Sequence, residues 1–230
     1  QLYNLIITNN VADFGGGIGL NYANGSIIKN SIIKDNSVYE WVGGIFLPHS
    51  ELVEVSYVLI NNNSATKGAG IFVTGGNSYP NINNVTLVEN TAIENGGAIY
   101  VNQQDSTVDI TNSILWDNSP NEVYAYSGTL IATYSIIENG FDESWFGTGS
   151  INSDPLFSDP TNANYQLLSN SPAIDAGNPS QNYNDCDSTR NDIGAYPLNS
   201  INLCCGGLSL IYGCTDPLAL NYNPLATVDD

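Results

Sequence analysis

The sequence predicts an all-β chain wound as a parallel β-helix, a β-solenoid, with a loop-rich C-terminal appendage. The first observation is a repeat of about 27 residues. Asn9, Asn36, Asn62, Asn90 and Asn118 take equivalent places, at gaps of 27, 26, 28 and 28. The second is that small residues before an isoleucine follow the first four: Gly16-Gly17-Ile18, Gly43-Gly44-Ile45, Ala69-Gly70-Ile71 and Gly97-Ala98-Ile99. The third is strand periodicity without helical periodicity. A fixed period of this size means one supersecondary unit stacked on copies of itself.

Each element of the repeat has a physical reading. Three positions before the asparagine stand Ile6, Ile33, Leu59, Leu87 and Leu115, an aliphatic column expected to face a core. One position before it stand Thr8, Asp35, Asn61, Glu89 and Asp117, a polar column expected to face water. Further on, Ile18/Leu20, Ile45/Leu47, Ile71/Val73 and Ile99/Val101 keep the two-residue spacing of a strand. The asparagines then form a ladder, each amide bonding to its copy one coil away, at roughly the 4.8 Å strand spacing. The paired glycines are expected to permit positive φ at the following corner. Five or six coils give a rod on the order of 25–30 Å. The division expected is repeats over 1–150, a closing module over 151–200 and a Cys/Asp-rich tail over 201–230.

Composition narrows the function. Twenty-three acidic residues face four basic ones (Lys29, Lys34, Lys67, Arg190), a net charge of −19. Nucleic-acid binding needs clustered Lys and Arg, so it is excluded, and an anionic membrane surface is disfavoured. No apolar run of membrane length occurs, so no membrane insertion is expected. Methionine is absent, and the chain is expected to be a trimmed piece of a longer precursor. Cys186, Cys204, Cys205 and Cys214 lie within the last 45 residues and match no C-x-x-C zinc spacing. They read as disulfide partners in an oxidising compartment, in any of three connectivities.

These columns resemble the right-handed parallel β-helix repeats of secreted bacterial surface proteins, of the pectate-lyase-like class. Asp154-Pro155-Leu156-Phe157, Tyr165-Gln166-Leu167, Ser171-Pro172-Ala173-Ile174-Asp175-Ala176-Gly177 and Arg190-Asn191-Asp192-Ile193-Gly194-Ala195-Tyr196 are similar to the closing module that follows such repeats. Tyr212-Gly213-Cys214-Thr215-Asp216-Pro217, with Asn221-Tyr222-Asn223-Pro224 and Asp229-Asp230, resembles a short Asp/Asn-rich extracellular module. The resemblance implies a pattern that continues into Gly-Ser-Cys, and Cys214 is expected to lack that partner within these 230 residues.

The resemblance implies lyases and glycosidases among relatives, so catalysis was tested on the residues. A uronate lyase needs cationic groups against the substrate carboxylate, and this chain has few. A glycosidase needs two carboxylates roughly 5–10 Å apart. Asp35, Glu89 and Asp117 share a column, but a solvated acidic stripe explains them equally well. His49, the single histidine, reads as an ordinary surface residue. Asp13-Phe14-Gly15 and the neighbouring glycines mimic kinase and nucleotide motifs outside any strand-to-helix context. Gly19, Phe46, Phe72, Tyr100 and Tyr124 alternate with the inward positions, so the rings are expected to point outward. There they either brace the rod under its own loops or form a platform for a sugar chain or another copy. Asn184, Asp185, Asp187 and Asp192, and separately Asp216, Asn221, Asn223, Asp229 and Asp230, suit oxygen ligation of calcium; Asx-turns without metal are the alternative.

With no convincing catalytic constellation, a non-enzyme is expected: an extracellular or cell-surface structural solenoid used in a surface layer, adhesive or filament. Its expected partners are copies of itself, head to tail. The rival is a carbohydrate-binding or carbohydrate-cleaving module with a polysaccharide partner.

Overall fold

The computed structural model describes residues 1–185 and 188–196, the side chain of Gln103 apart. Cys186, Asp187 and residues 197–230 lie outside the described residues. With them lie all four disulfide candidates, the Asp216–Asp230 cluster and the expected tail. The described chain is a parallel β-solenoid with almost no helix.

Four strand faces stack coil on coil. On the first, Ile18, Ile45, Ile71, Ile99 and Val123 align. The second aligns Leu2, Ile28, Val55, Ile82, Ile110 and Ala132. The third aligns Ile7, Ile33, Ile60, Leu87, Leu115 and Ile137. The fourth is the separate sheet of Val11–Phe14, Ser37–Trp41, Ser64–Lys67 and Thr91–Asn95. The aliphatic columns of the first three faces meet in one continuous core. Burying like on like in each column lets one residue type serve every coil.

The corners explain the register. Two columns of left-handed residues run along the rod, five positions apart in every coil: Asn4/Asn9, Asn30/Asp35, Tyr57/Asn62, Asn84/Glu89, Asn112/Asp117 and Tyr134/Asn139. Asn and Asp tolerate this conformation because their short polar side chains bond locally. A third corner falls at Gly15, Val42, Gly68 and Gly96, also at positive φ. This corner precedes the paired small residues instead of following them, correcting the expectation. The pairs serve a different need. A Cβ on Gly17, Gly44 or Gly70 would run into the carbonyl of Gly44, Gly70 or Ala98 one coil on. Val42, a β-branched residue at φ 71, is held there with its side chain buried against Phe72 and Tyr100.

Two inward assignments shift by one. Ile6 and Leu59 are not in the core column; Ile7 and Ile60 are. Ile6 is 55 % exposed, whereas Leu59 is buried on the outer flank. The polar column likewise runs through Asn9 and Asn62, not Thr8 and Asn61, and Asn61 is buried. The errors at Ile6, Leu59 and Asn61 fall at runs of like residues, Ile6-Ile7, Leu59-Ile60 and Asn61-Asn62-Asn63, and the one at Thr8 lies beside Asn9-Asn10.

Residues 152–185 and 188–196 lie along the flank of the rod. Tyr165, Ala195 and Tyr196 cover Ile32, Leu59 and Val88, and Leu167, Ala173 and Ile193 cover Ile114 and Ile136. The two quoted motifs bind each other: Ile193 N donates to Ala173 O at 2.9 Å, Gly177 N to Asn191 O at 2.8 Å, and Arg190 donates to the carbonyls of Ala176 and Gly177. Asn84 Nδ2 then fastens the pair to the rod through Asn191 Oδ1, Asp192 O and Gly194 O, at 2.9–3.0 Å. The end of the last coil is covered by a different segment, where Ala132 N donates to Trp145 O and Ile137 N to Ile151 O.

Candidate functional site

The asparagine ladder is present and runs one way. Asn10 Nδ2 donates to Asn36 Oδ1, Asn36 to Asn63, and Asn63 to Asn90, each at 2.9 Å, and Asn90 to Asn118 at 2.8 Å. Each backbone N–H of these residues donates to the same acceptor. From Asn36 onward each Nδ2 also reaches a carbonyl on the preceding coil: Ile7, Ile33, Ile60 and Leu87. Asn36, Asn63, Asn90 and Asn118 are buried. Asn9 and Asn62 are not rungs; both are exposed left-handed corner residues. Asn10 and Asn63 take their places.

The last rung ends on an acid that the repeat analysis missed. Asn118 N donates to Glu122 Oε1 at 2.9 Å and Asn118 Nδ2 to Glu122 Oε2 at 2.7 Å. Glu122 supplies the acceptor that a further asparagine would have provided. It is 6 % exposed, and burial pushes its carboxyl up to about 8 against the two donors from Asn118, with Glu138 and Asp117 adding to the rise. It lines a cleft of about 260 Å³ with Glu138, Glu143, Asn121 and Trp145. Glu122 stands at the end of the small-residue column of Gly17, Gly44, Gly70 and Ala98, its carbonyl accepting from Ile99 N, and a column of small residues gives no signal for an acid.

The carboxylates of the outward column lie elsewhere. Asp35 accepts from Asn62 Nδ2 at 2.6 Å and from Thr8 Oγ1 at 3.4 Å. Glu89 accepts from the Tyr165 hydroxyl at 3.0 Å. Burial, then the neighbouring Glu89 charge, holds that phenol well above its ordinary range. Glu89 and Asp117, on adjacent coils, share a cleft of about 230 Å³ with Asp154, Trp116 and Phe157. Its second wall is supplied by Asp154, Leu156, Phe157, Pro160 and Leu168 of the segment lying against the flank.

The aromatic column has the expected register, Gly19, Phe46, Phe72, Tyr100 and Tyr124 aligning in turn. Its rings touch edge-on or tilted: Phe46–Phe72 at 5.8 Å, Phe72–Tyr100 at 4.8 Å and Tyr100–Tyr124 at 5.3 Å between centroids. Phe72 and Tyr100 are buried, at 2 % and 5 % exposure, and Trp41 packs on Phe72. This is a bracing stack under its own corners, and the open platform is not formed at its centre. His49 is exposed and stacks flat on Tyr22 at 4.8 Å.

Of the first calcium set, Asp185 accepts from Asn191 Nδ2 and Asp192 N, Asp192 accepts from Asp175 N, and Asn184 donates to Ser188 O. Among the described residues no group of three or more His, Cys, Asp or Glu converges as a metal site.

A family model described as a right-handed β-helix region matches residues 3–141. Comparison with curated proteins and with solved structures returned no significant match.

Proposed function

The chain belongs to the right-handed β-helix family, and on that premise we propose that it is an extracellular structural β-solenoid, a surface, adhesive or filament-forming subunit of a secreted bacterial type. The observation that carries this reading is the use made of its carboxylates. Glu122, Glu89 and Asp35 each accept hydrogen bonds that hold coils or segments together. Both oxygens of Glu122 and both of Asp35 are used in this way, and Glu89 gives one oxygen to the Tyr165 hydroxyl. The unidirectional ladder and like-on-like core favour the same role, because they resist shear along the rod.

Self-association is the part of this reading that assembly experiments reach. Ile6, Val11 and Phe14 are exposed, at 55 %, 68 % and 52 %, and apolar side chains on a surface favour contact with another chain. At −19 per chain, repulsion opposes contact, so salt or calcium should promote it. Sedimentation of the 1–230 chain with and without calcium, alongside electron microscopy, is the test. Concentration-dependent assembly supports the reading; a monomer under every condition removes the filament.

The carbohydrate reading has one observation in its favour, the cleft that sets Glu89, Asp117 and Asp154 beside Trp116 and Phe157. Retention on a glycan array, lost in Trp116→Ala, would promote it over the structural role. Calcium belongs with the extracellular reading, through Asn184, Asp185, Asp187 and Asp192 or through the Asp216–Asp230 cluster. Binding to the native state raises the melting temperature by mass action. Superimposable melting curves in EDTA and millimolar calcium would return those residues to turn formation alone.

A further inference from the structure

We propose that Asn139 is a site of spontaneous covalent modification, losing its side-chain amide by cyclisation onto the backbone nitrogen of Gly140. The place that Gly140 occupies in the ladder sets this up. Ile114–Trp116 and Ile136–Ile137 pair in the register Leu115↔Ile137, and three positions further on Gly140 falls opposite Asn118. Gly140 therefore stands where the next rung would stand, directly after the left-handed corner residue Asn139. Every earlier rung gives its backbone N–H to an acceptor on its C-terminal side: Asn10 to Asn36, Asn36 to Asn63, Asn63 to Asn90, Asn90 to Asn118 and Asn118 to Glu122. At Gly140 the ladder has ended, and its N–H meets no acceptor among the described residues. The Asn139 backbone N–H donates to Asn152 Oδ1 at 3.3 Å. Its side chain lies on an exposed residue and has no hydrogen-bond partner among the described residues.

Packing selects glycine at this place. A Cβ on Gly140 would stand 2.8 Å from Phe146 Cδ2 and 3.1 Å from the Trp145 ring. The same missing Cβ leaves the glycine nitrogen unhindered as a nucleophile. The sequence holds two other Asn-Gly pairs, and the fold locks both. Gly25 N donates to Glu51 O at 2.9 Å, while Asn24 Oδ1 accepts from Glu51 N at 2.9 Å. Gly96 N donates to Asn121 Oδ1 at 2.7 Å, while Asn95 Oδ1 accepts from Asn121 Nδ2 at 3.4 Å. In each of these the attacking nitrogen and the attacked amide are both held by a neighbouring coil. At Asn139-Gly140 neither is held.

The chemistry needs only water. Solvent base removes the Gly140 N–H proton, and the nitrogen's electron pair forms a bond to Asn139 Cγ. The tetrahedral centre breaks its bond to Nδ2, which takes up a proton and leaves as ammonia. Water then opens the cyclic imide at one of its two carbonyls, giving aspartate or isoaspartate. Aspartate continues the acids of the corner column, Asp35, Glu89 and Asp117, and joins Glu122, Glu138 and Glu143 along one cleft. Isoaspartate instead inserts a methylene into the main chain at the corner that ends the last coil.

Ageing the 1–230 chain in mildly alkaline buffer, with peptide mapping by mass spectrometry, tests the site. Exchange of NH2 for OH should accumulate at Asn139 at least about tenfold faster than at Asn24 and Asn95, whose glycine nitrogens must first be released. Isoaspartyl methyltransferase should label the aged chain at the same position. In concentrated denaturant the three rates should converge. Asn121→Ala removes the acceptor of Gly96 N and should speed the reaction at Asn95 while leaving Asn139 unchanged. Equal rates at the three sites of the folded chain overturn the proposal, as does a preference for Asn139 that survives in denaturant. An Asn121→Ala chain that folds without speeding Asn95 does the same. Should Asn121→Ala fail to fold, the folded and denatured rates of the wild type decide alone.

Discussion

Two polar columns run side by side along the rod, one residue apart. Asn9, Asp35, Asn62, Glu89 and Asp117 turn the corner with positive φ. Asn10, Asn36, Asn63, Asn90 and Asn118 follow immediately and bond from coil to coil. The corner column varies in chemistry because the backbone asks only for a residue that tolerates the left-handed region. The ladder column stays asparagine because a buried rung must both donate and accept, and few side chains offer both on one planar group. Identity of residue type therefore tracks burial and bonding, and the conformation alone permits exchange.

The comparison is best broken at Asn62 and Asn63. Asn63→Leu strands the N and Nδ2 donors of Asn36 and removes the Asn63 Nδ2 donor from Ile33 O and Asn90 Oδ1. With buried orphans costing about 1–3 kcal/mol each, the loss should reach at least ~3 kcal/mol in denaturant unfolding. Asn84→Ala comes next. Asn84 is a corner residue that the C-terminal segment has covered, so it should behave like a rung. Loss of its bonds to Asn191, Asp192 and Gly194 should cost about 2 kcal/mol and admit protease to 171–196 first. The smallest effect belongs to Asn62. Asn62→Leu should cost only about 1 kcal/mol, from left-handed strain and an exposed bond to Asp35. Asn62→Gly should leave the melting temperature nearly unchanged. Equal losses in Asn62→Leu and Asn63→Leu would erase the distinction between the columns.

These columns also mark what could be read from the chain. Ile18, Ile45, Ile71 and Ile99 were legible because each stands beside residues small enough to leave one alignment. Asn36, Asn90 and Asn118 each follow a single acidic residue, Asp35, Glu89 or Asp117, and align without ambiguity. Asn9-Asn10 and Asn61-Asn62-Asn63 offer equivalent letters, and the choice between them depends on φ, which composition does not encode. The aromatic register was legible, but the burial of Phe72 and Tyr100 depends on how Trp41 and the Val42 corner fold over them. Glu122 and the flank cleft were not legible, since both arise where the repeat stops and a non-repeating segment returns over distant coils.

The one-way ladder has a consequence for length. Each interior rung takes the same bonds from the coil before and gives the same bonds to the coil after. A whole unit of 27 residues, the separation between Asn36 and Asn63 and between Asn63 and Asn90, can be duplicated without any rung meeting a new kind of neighbour. Coils of 26 and 28 residues, Asn10–Asn36 and Asn90–Asn118, keep their rungs as well, so the unit that must be copied whole is the coil. The molecule is thus extensible in quantised steps, and gene duplication could lengthen it as a mason lengthens a course of identical bricks. The terminal acid needs to be laid only once.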